Sequence, residues 1–260
     1  MTLDNKINWA IGLLDAEGYI GFNKNGNKKW VTVIKVSMKN TNARAIYKLK
    51  DIFKVGNIYK SKDGVITYKL TNKNKFLNHL KPILEKYPLQ TCKYFEYLKL
   101  LEAINILNSN DNTDIKHNKL LLLKEEVKIL KTNRYLKSPF LNLNPFWLAG
   151  FIEGDGSFQI NKNLQLVFEL GQAYNHVLMS EIKNYLKITS KLNIRKDNTY
   201  VTVRTAKKSN ISNIISLCDK KLLGSKSFEL KVWAYAHNTN LIKKKIRAKL
   251  LLDKLRKGDN

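Results

Sequence analysis

The chain has 260 residues, with 47 Lys or Arg against 21 Asp or Glu, so its formal net charge is +26. Such an excess, spread along the whole length, goes beyond what solubility requires and predicts a long polyanion as the partner. The hydrophobic share of 43% still provides packed cores. No apolar run approaches the roughly 20 residues of a membrane span, so no membrane association is expected. Two distant cysteines indicate neither a disulfide framework nor a zinc site.

The first half reads as helix, two strands, helix, two strands, helix. An apolar run ending at Gly18 predicts the first helix. In the second strand Ile34, Val36 and Met38 alternate with polar neighbours, which predicts one buried face and one cationic face. The other predicted elements, with hairpin turns at 25–26 and 63–64, are strands 19–23 and 30–39, helix 43–53, strands 55–59 and 65–70, helix 73–86 and a helix ending near Leu107.

The second half repeats this order after a connecting stretch. Its predicted elements after the first helix are strands 157–161 and 164–171, helix 177–186, strands 189–195 and 199–205, helix 209–218 and a helix ending near His237. Between the halves we expect an amphipathic helix at 115–133 and an irregular connection at 134–145. The sequence therefore predicts an α+β fold of two pseudo-twofold αββαββα repeats, residues 1–107 and 146–260, joined by a linker with one helix, residues 108–145.

One ten-residue pattern opens both halves. It reads Trp9-Ala-Ile-Gly12-Leu-Leu-Asp15-Ala16-Glu17-Gly18 in the first and Trp147-Leu-Ala-Gly150-Phe-Ile-Glu153-Gly154-Asp155-Gly156 in the second. Because positions i and i+4 share one face of a helix, Gly12 with Ala16, and Gly150 with Gly154, give each helix a smooth stripe. We expect the two helices to pack on each other along these stripes. Glycine is also expected to end each helix, as the residue that commonly follows a helix C-terminus.

The final acids of the two patterns, Glu17 and Asp155, would then lie side by side near the negative ends of two helix dipoles. Carboxylates about 4 Å apart repel by roughly 4 kcal/mol at an effective dielectric constant of 20, so such a pair favours binding of a hard divalent cation. The alternative is that these are helix-ending surface acids, but their equivalent placement in both halves argues against it. Asp15 and Glu153 point to another side and are predicted to be structural, for example hydrogen-bonding across the interface.

The two patterns resemble the signature helices of the LAGLIDADG homing endonucleases, and the whole chain is similar to the single-chain, two-repeat branch encoded in organellar introns. The resemblance implies a saddle of antiparallel strands in successive major grooves, and cleavage of both DNA strands across the minor groove that leaves 3′ overhangs. It also implies that Glu17 and Asp155 bind metal, with the carbonyls of Ala16 and Gly154 close by. The first pattern departs from the family at Ala10, Ile11 and Glu17, and these changes keep chemical character.

The resemblance also assigns further catalytic positions. The basic residue near each metal site matches Lys93 and Lys226, which would stabilise the charge of the pentavalent phosphorane or organise attacking water. A solvated surface lysine is the alternative for each. The polar residue that ends the second strand matches Lys39 and Gln172. In its strand, however, Gln172 is out of parity with the polar face unless a β-bulge intervenes.

The polar faces of the predicted sheets are expected to contact a duplex of matching pseudo-palindromic character, bound by a monomer. The candidate DNA-binding residues are Asn23, Lys24, Lys28, Lys35, Ser37, Tyr59, Lys60, Lys69, Asn161, Lys162, Gln165, Glu169, Lys191, Arg195 and Arg204.

Three functions compete at this point. A site-specific DNA endonuclease is favoured, with Mg²⁺ as the expected cofactor and Mn²⁺ or Ca²⁺ substituting in binding. An intron maturase, an RNA-splicing cofactor on the same scaffold, would have intron RNA as its partner. A DNA-binding regulator without cleavage would gain nothing from two repelling carboxylates at its centre. A bias towards Asn, Lys, Ile and Leu is typical of an AT-rich genome and favours an organelle, above all the mitochondrion, as the location.

Overall fold

The computed structural model describes residues 1–132 and 137–257, and in them the predicted α+β architecture of two similar halves is confirmed. The first half contains α1 (Leu3–Glu17), β1 (Gly18–Lys24), β2 (Trp30–Lys39), α2 (Ala43–Phe53), β3 (Asn57–Lys60), β4 (Val65–Leu70), α3 (Lys73–Lys75), a π-helical segment (Phe76–Leu80), α4 (Lys81–Lys86), α5 (Lys93–Asn108) and α6 (Thr113–Thr132). The second half contains α7 (Pro145–Asp155), β5 (Gly156–Ile160), β6 (Leu166–Ala173), α8 (His176–Tyr185), β7 (Asn193–Ile194), β8 (Tyr200–Thr205), α9 (Lys208–Cys218), α10 (Lys226–His237) and α11 (Ile242–Lys257).

Each half holds one antiparallel sheet, in the order β1-β2-β4-β3 and β5-β6-β8-β7. The alternation read from the sequence sets the two faces, because Ile34 and Val36 are fully buried whereas Lys35 is exposed. The buried faces pack under helices and form the core, and the opposite faces carry the polar side chains. None of the described helices is long and apolar enough to span a membrane.

Several predicted bounds differ from the structure. The strand predicted at 164–171 is Leu166–Ala173, because Leu164 has a left-handed φ of 59° and lies in the hairpin turn rather than among the core-facing leucines. The strand predicted at 189–195 is only two residues long. Helix α11 is absent from the sequence prediction. The predicted helix end at 133 and the start of the connection at 134–136 lie outside the described residues.

A closing helix packs on each half in the same way. Helix α6 lies against α5, and α11 lies against α10. The buried Glu96 pairs with Lys131 of α6 at 2.9 Å, and the buried Glu229 pairs with Arg256 of α11 at 3.0 Å. Each acid is three residues beyond the lysine that begins its helix. The repeated unit therefore continues past the last predicted helix of each half.

The centre of the molecule is the contact between α1 and α7. A Cβ atom added to Gly12 would lie 1.9 Å from the carbonyl oxygen of Trp147, and one added to Gly150 would lie 1.9 Å from that of Trp9. One turn further on, a Cβ on Gly154 would lie 2.5 Å from the Cβ of Ala16. Backbone thus touches backbone across the pseudo-twofold axis, and the small residues are what allow it.

Gly18 and Gly156 end the two helices, as predicted, but they do so without the left-handed conformation that is common after a helix C-terminus. Their φ values are −73° and −75°, with extended ψ. Each begins a strand directly. A Cβ on Gly18 would lie 2.1 Å from the carbonyl oxygen of Leu14, and one on Gly156 would lie 2.6 Å from the Ile152 side chain. Lack of space at the sharp helix-to-strand exit is therefore the reason for glycine here.

We predict that Gly150→Ala lowers the stability of the whole protein by about 1–3 kcal/mol, because even one methyl group must separate two backbones. Thermal unfolding would measure this, with Lys48→Leu on the exposed surface of α2 as the control for added apolar volume. Equal melting temperatures for Gly150→Ala and the wild type would contradict the close contact.

Candidate active site

The last acid of each repeated pattern lies at the end of its helix, beside the other. Glu17 is the last residue of α1 and Asp155 the last of α7. A Cβ on Gly154 would lie 2.9 Å from the Cγ of Glu17, so the Glu17 side chain rests against the backbone next to Asp155. Burial, and then the charge of Glu17, raise the pKa of Asp155 to about 6. The close packing of α1 and α7 thus forces two carboxylates together.

The donor set at this junction fits a hard divalent cation. It consists of carboxylate oxygens from two helices, which are ligands that Mg²⁺ and Ca²⁺ prefer. Burial, and then the charge of Glu17, disfavour the charged form of Asp155, and a bound cation would offset both effects. Nowhere among residues 1–132 and 137–257 do three or more His, Cys, Asp or Glu side chains form a metal-binding group.

A lysine caps each of the two helix ends. The Lys93 ammonium donates to the carbonyl oxygens of Asp15 at 2.5 Å and Ala16 at 3.1 Å. The Lys226 ammonium donates to those of Glu153 at 2.8 Å and Gly154 at 3.0 Å. Carbonyls that have no partner within the helix are thereby satisfied, and a positive charge sits at the negative end of each dipole. Both lysines also act to lower the pKa of Asp155.

The two lysines occupy carbonyl oxygens that were predicted to lie near the metal. The carbonyls of Ala16 and Gly154, which the resemblance placed near metal, accept hydrogen bonds from the two lysines. Lys226 is buried, with 7% of its surface exposed, so it is not the solvated surface lysine of the alternative interpretation. The structure brings Glu17, Asp155 and both lysines to one junction.

Gln172 faces the acids rather than the predicted polar face. Its side-chain amide donates a hydrogen bond to Asp155 and accepts one from Asn175 at 3.3 Å. Pairing of β6 with β8 runs without interruption from Phe168 to Ala173, so no bulge is present. The parity seen in the sequence is therefore real, and it points Gln172 to the helix side of the sheet, where Asp155 lies.

The counterpart of Gln172 in the first half is Met38, not Lys39. Gly18 pairs with Val36 as Gly156 pairs with Leu170, and Gln172 lies two residues beyond Leu170 as Met38 does beyond Val36. Met38 is buried, whereas Lys39 is exposed and shares the opposite face of β2 with Lys35. The equivalence of Lys39 and Gln172 expected from the resemblance is wrong in register, and the two acids have unequal surroundings.

The candidate DNA-binding residues fall into two groups. Those with exposed side chains are Lys24, Lys28, Lys35, Tyr59, Lys60, Lys69, Lys162, Gln165, Lys191, Arg195 and Arg204. Those that are partly buried have partners within the protein, namely Asn23 with Tyr19 and Lys124, Ser37 with Thr67, Asn161 with Gln165, and Glu169 with Arg204. Lys28 also pairs with Asp114 at 2.5 Å.

The polar faces of the two sheets differ in charge. In the first sheet Lys35 pairs with Lys69 across neighbouring strands, and both are exposed. At the corresponding place in the second sheet Glu169 pairs with Arg204, and the two form an ion pair of 3.6 Å. The first face therefore presents more uncompensated positive charge to a polyanion than the second does.

Sequence reasoning missed Tyr200. It lies on the polar face of β8 in the same parity as Arg204, with 40% of its surface exposed. Burial and the charges of Asp155, Glu169 and Glu17 raise its pKa, which places the phenol in the field of both acids. The alternation of the strand could have identified it, since Tyr200 and Arg204 are four positions apart.

Two further acids are fully buried beside the active-site pair. Asp15 accepts hydrogen bonds from the backbone N–H groups of Gln90 at 2.9 Å and Thr91 at 3.2 Å, and from the Trp147 indole at 2.9 Å. Glu153 accepts from the N–H groups of Gly224 and Lys226, both at 3.0 Å. Burial raises the pKa of both carboxyls, against the effect of these hydrogen bonds. Both carboxylates are held by hydrogen bonds within the protein, as the sequence predicted, and the bond from Trp147 to Asp15 crosses the contact between α1 and α7.

The two matching halves bring a pair of acids and a pair of lysines to one junction, and their sheets carry polar and largely basic faces. These features define a single-chain, two-repeat nucleic-acid-binding protein. The profile of the LAGLIDADG endonuclease family matches residues 10–104 and 148–237. The chain belongs to this family.

Relatives and solved structures agree with this assignment. The chain is 30% identical over 268 residues to the probable intron-encoded endonuclease Cox1-I1b of Schizosaccharomyces pombe, covering 95% of this chain and 68% of the relative. It is 27% identical to the probable intron-encoded endonuclease aI3 of Dictyostelium citrinum, covering 84% and 90%. It shares its fold with the LAGLIDADG homing endonuclease I-LtrWI bound to target DNA, with a TM-score of 0.79, 22% identity and coverage of 97% and 98%.

A second solved structure with this fold is I-SmaMI bound to cleaved DNA, with a TM-score of 0.72, 22% identity and coverage of 97% and 96%. The same protein has been solved on an uncleaved target in the presence of calcium ions, and LAGLIDADG endonucleases depend on divalent metal.

Proposed function

We propose that the protein is a site-specific endonuclease that hydrolyses both strands of a DNA duplex across the minor groove, leaves 3′ overhangs and thereby promotes intron mobility. The observation that carries this is the pairing of an acid with a helix-capping lysine twice, at one junction on the pseudo-twofold axis. A pair of like-built sites suits two scissile phosphates of antiparallel strands. The family and the printed activities of its relatives support the same reaction.

The residues of this chain divide the work. Glu17 and Asp155 hold a divalent cation, proposed to be Mg²⁺, with Mn²⁺ or Ca²⁺ able to take its place in binding. When bound, such an ion neutralises phosphate charge and makes water a better nucleophile. Lys93 and Lys226 stabilise the extra negative charge on the phosphorus oxygens during attack. Gln172 orients the Asp155 carboxylate through its hydrogen bond.

The polar faces of the two sheets bind the duplex. Their lysines and arginines neutralise phosphates, and the strands follow successive major grooves of a pseudo-palindromic site. The first sheet, in which the exposed Lys35 and Lys69 face each other, contributes more phosphate attraction than the second, in which Glu169 pairs with Arg204. A single chain supplies both halves, so the active species is a monomer. Its first repeat, 1–107, is closed by α6 of the linker, and its second repeat, 146–260, includes the closing helix α11. A mitochondrial location fits the intron-encoded relatives.

We predict that Glu17→Gln and Asp155→Asn each reduce the rate of double-strand cleavage by more than about 100-fold. Loss of a residue that only supports a metal ligand typically costs up to roughly 100-fold, and loss of a ligand itself should cost more. Specific DNA binding should persist, because it depends on phosphate and groove contacts away from the junction. Single-turnover cleavage and equilibrium binding in Ca²⁺ would measure the two effects, with Asp51→Asn on exposed α2 as the control. Cleavage at the wild-type rate by both variants would contradict the assignment of Glu17 and Asp155 as metal ligands.

We predict that Lys93→Met and Lys226→Met each slow hydrolysis by about 100- to 1000-fold while binding of DNA is retained, since the charge they stabilise develops only in the transition state. Each variant should slow chiefly one strand, and the two variants opposite strands. End-labelled duplex would report the strands separately, with Lys231→Met on the exposed side of α10 as the control. Unchanged rates on both strands would contradict the assignment.

DNA specificity separates the endonuclease from an RNA maturase. With about 8–12 phosphate contacts, log K for the specific duplex should fall with a slope near −7 to −11 against log salt concentration. We expect a duplex spanning the intron-less host allele to outcompete both random DNA and the folded intron RNA. A preference for the RNA, without discrimination between the two DNAs, would favour the maturase instead.

A further inference from the structure

The two fully buried acids of the repeated patterns each touch the segment that carries a lysine. We propose that Asp15 and Glu153 are positioning residues, which fix where the Lys93 and Lys226 ammonium groups lie by anchoring the first turn of α5 and of α10. This inference rests on the proposed nuclease function for its catalytic consequence, but the anchoring itself is a property of the free protein.

The anchoring begins at backbone N–H groups that have no partner inside a helix. Asp15 accepts from Gln90 and Thr91, just before α5, and also from the Thr91 hydroxyl at 2.6 Å. That hydroxyl in turn accepts from the Lys93 N–H at 3.1 Å. Glu153 accepts directly from the Lys226 N–H, the first of α10. Each carboxylate therefore holds the backbone of its lysine, directly or through one side chain.

The other end of each lysine returns to the same residue. The Lys93 ammonium donates to the carbonyl oxygen of Asp15, and the Lys226 ammonium donates to that of Glu153. One buried acid thus contacts the start of the lysine-bearing helix through its side chain and the lysine tip through its backbone. Because the next residues along the chain lead to Glu17 and Asp155, this geometry sets lysine and acid at a fixed separation.

Close packing shows that the second anchor has little freedom. A Cβ on Gly224 would lie 2.3 Å from the Oε1 of Glu153, so the segment before Lys226 can approach the carboxylate only with glycine there. In the first half the place of this tight approach is taken by Gln90 and Thr91, whose N–H groups reach Asp15.

The two anchors are not identical across the pseudo-twofold axis. Asp15 also accepts from the indole of Trp147, which belongs to the other repeated helix, at 2.9 Å. The equivalent indole of Trp9 is buried, and among the described residues it has no hydrogen-bond partner. The Asp15 carboxylate therefore contacts both halves, whereas the N–H groups that donate to Glu153 belong to its own half. The start of α10 meets the first half by a different contact, the hydrogen bond from Arg44 to Ser227 at 3.3 Å.

An amide tests the anchor with little change in shape. Asn or Gln keeps one acceptor oxygen but turns an NH₂ group towards a backbone N–H, so each variant loses at least one anchoring bond. Asp15→Asn also affects a second donor, because each Asp15 oxygen accepts two hydrogen bonds. Hydrogen exchange of the free protein should show the loss directly. In Asp15→Asn, peptides covering 88–94 should exchange about tenfold faster or more, as expected for loss of a hydrogen bond to a charged acceptor, with 222–228 unchanged. Glu153→Gln should show the reverse.

The matched controls replace the buried acids of the lysine-bearing helices, Glu96 of α5 and Glu229 of α10. Glu96→Gln and Glu229→Gln remove the partners of Lys131 and Arg256 and should leave exchange at 88–94 and 222–228 at the parental rates. Since Asp15 also contacts Trp147, Asp15→Asn could unfold the protein. Thr91→Val then removes only the hydroxyl that links Asp15 to the Lys93 N–H and serves as the second variant for the first anchor.

Strand-resolved cleavage gives the catalytic readout, on a duplex selected by the wild-type protein from a randomised library. Asp15→Asn should slow by at least about tenfold the same strand that Lys93→Met slows, and Glu153→Gln the strand that Lys226→Met slows. Adding Asp15→Asn to Lys93→Met should slow that strand less than twofold further, because the anchor acts through the lysine. Binding of the duplex in Ca²⁺ should stay within about threefold of the parental affinity.

Exchange at the parental rate in both 88–94 of Asp15→Asn and 222–228 of Glu153→Gln would overturn the anchoring. Equal slowing of both strands, or full additivity with the lysine variants, would overturn the positioning role and leave a purely structural one. If the wild-type protein selects no duplex, the proposed function fails, while the exchange experiment still decides whether the two acids anchor the helices.

Discussion

The structure depends on one contact, the approach of the α1 and α7 backbones across the pseudo-twofold axis. At Gly12 and Gly150 a single added carbon would lie 1.9 Å from a carbonyl oxygen of the opposite helix. Because the two helices touch, their last residues, Glu17 and Asp155, must lie close together. The same contact that joins the halves therefore brings Glu17 close enough to Asp155 for its charge to add to the effect of burial in raising the pKa of Asp155. Stability and the candidate chemistry share one physical origin.

Around the junction of Glu17 and Asp155, two lysine ammonium groups held by hydrogen bonds offset the negative charge. Lys93 and Lys226 place ammonium groups on the helix-end carbonyls, and Asp15 and Glu153 accept N–H groups from the segments that lead to these lysines. Four acids and two lysines thus form two nearly equivalent units. The two units differ in the residues around them. Gln172 donates a hydrogen bond to Asp155, whereas the matching strand position in the first half is occupied by Met38. Asp15 accepts from the Trp147 indole of the other half, whereas the Trp9 indole has no hydrogen-bond partner among the described residues.

Each repeat includes a closing helix, α6 or α11, that packs on the last helix predicted for its half. Their anchors are Glu96 and Glu229, each one helical turn beyond its lysine, and each buried where an unpaired charge would be costly. Helix α11 escaped prediction because its core contact rests on few apolar residues, chiefly Ala248 and Leu252, in a strongly basic segment. Its place in the fold follows from Arg256 meeting Glu229, a contact between positions far apart along the chain.

The sequence by itself determined the duplication, the α+β order of elements and the stripes of small residues, because these depend on local periodicity and on which residues can approach closely. It also separated the two structural acids from the two at the helix ends. The tertiary structure alone decided strand register, which assigns Met38 rather than Lys39 as the counterpart of Gln172, and it brought Tyr200 into the field of the acids. Register and hydrogen bonds across the chain join residues remote in sequence, so no local pattern specifies them.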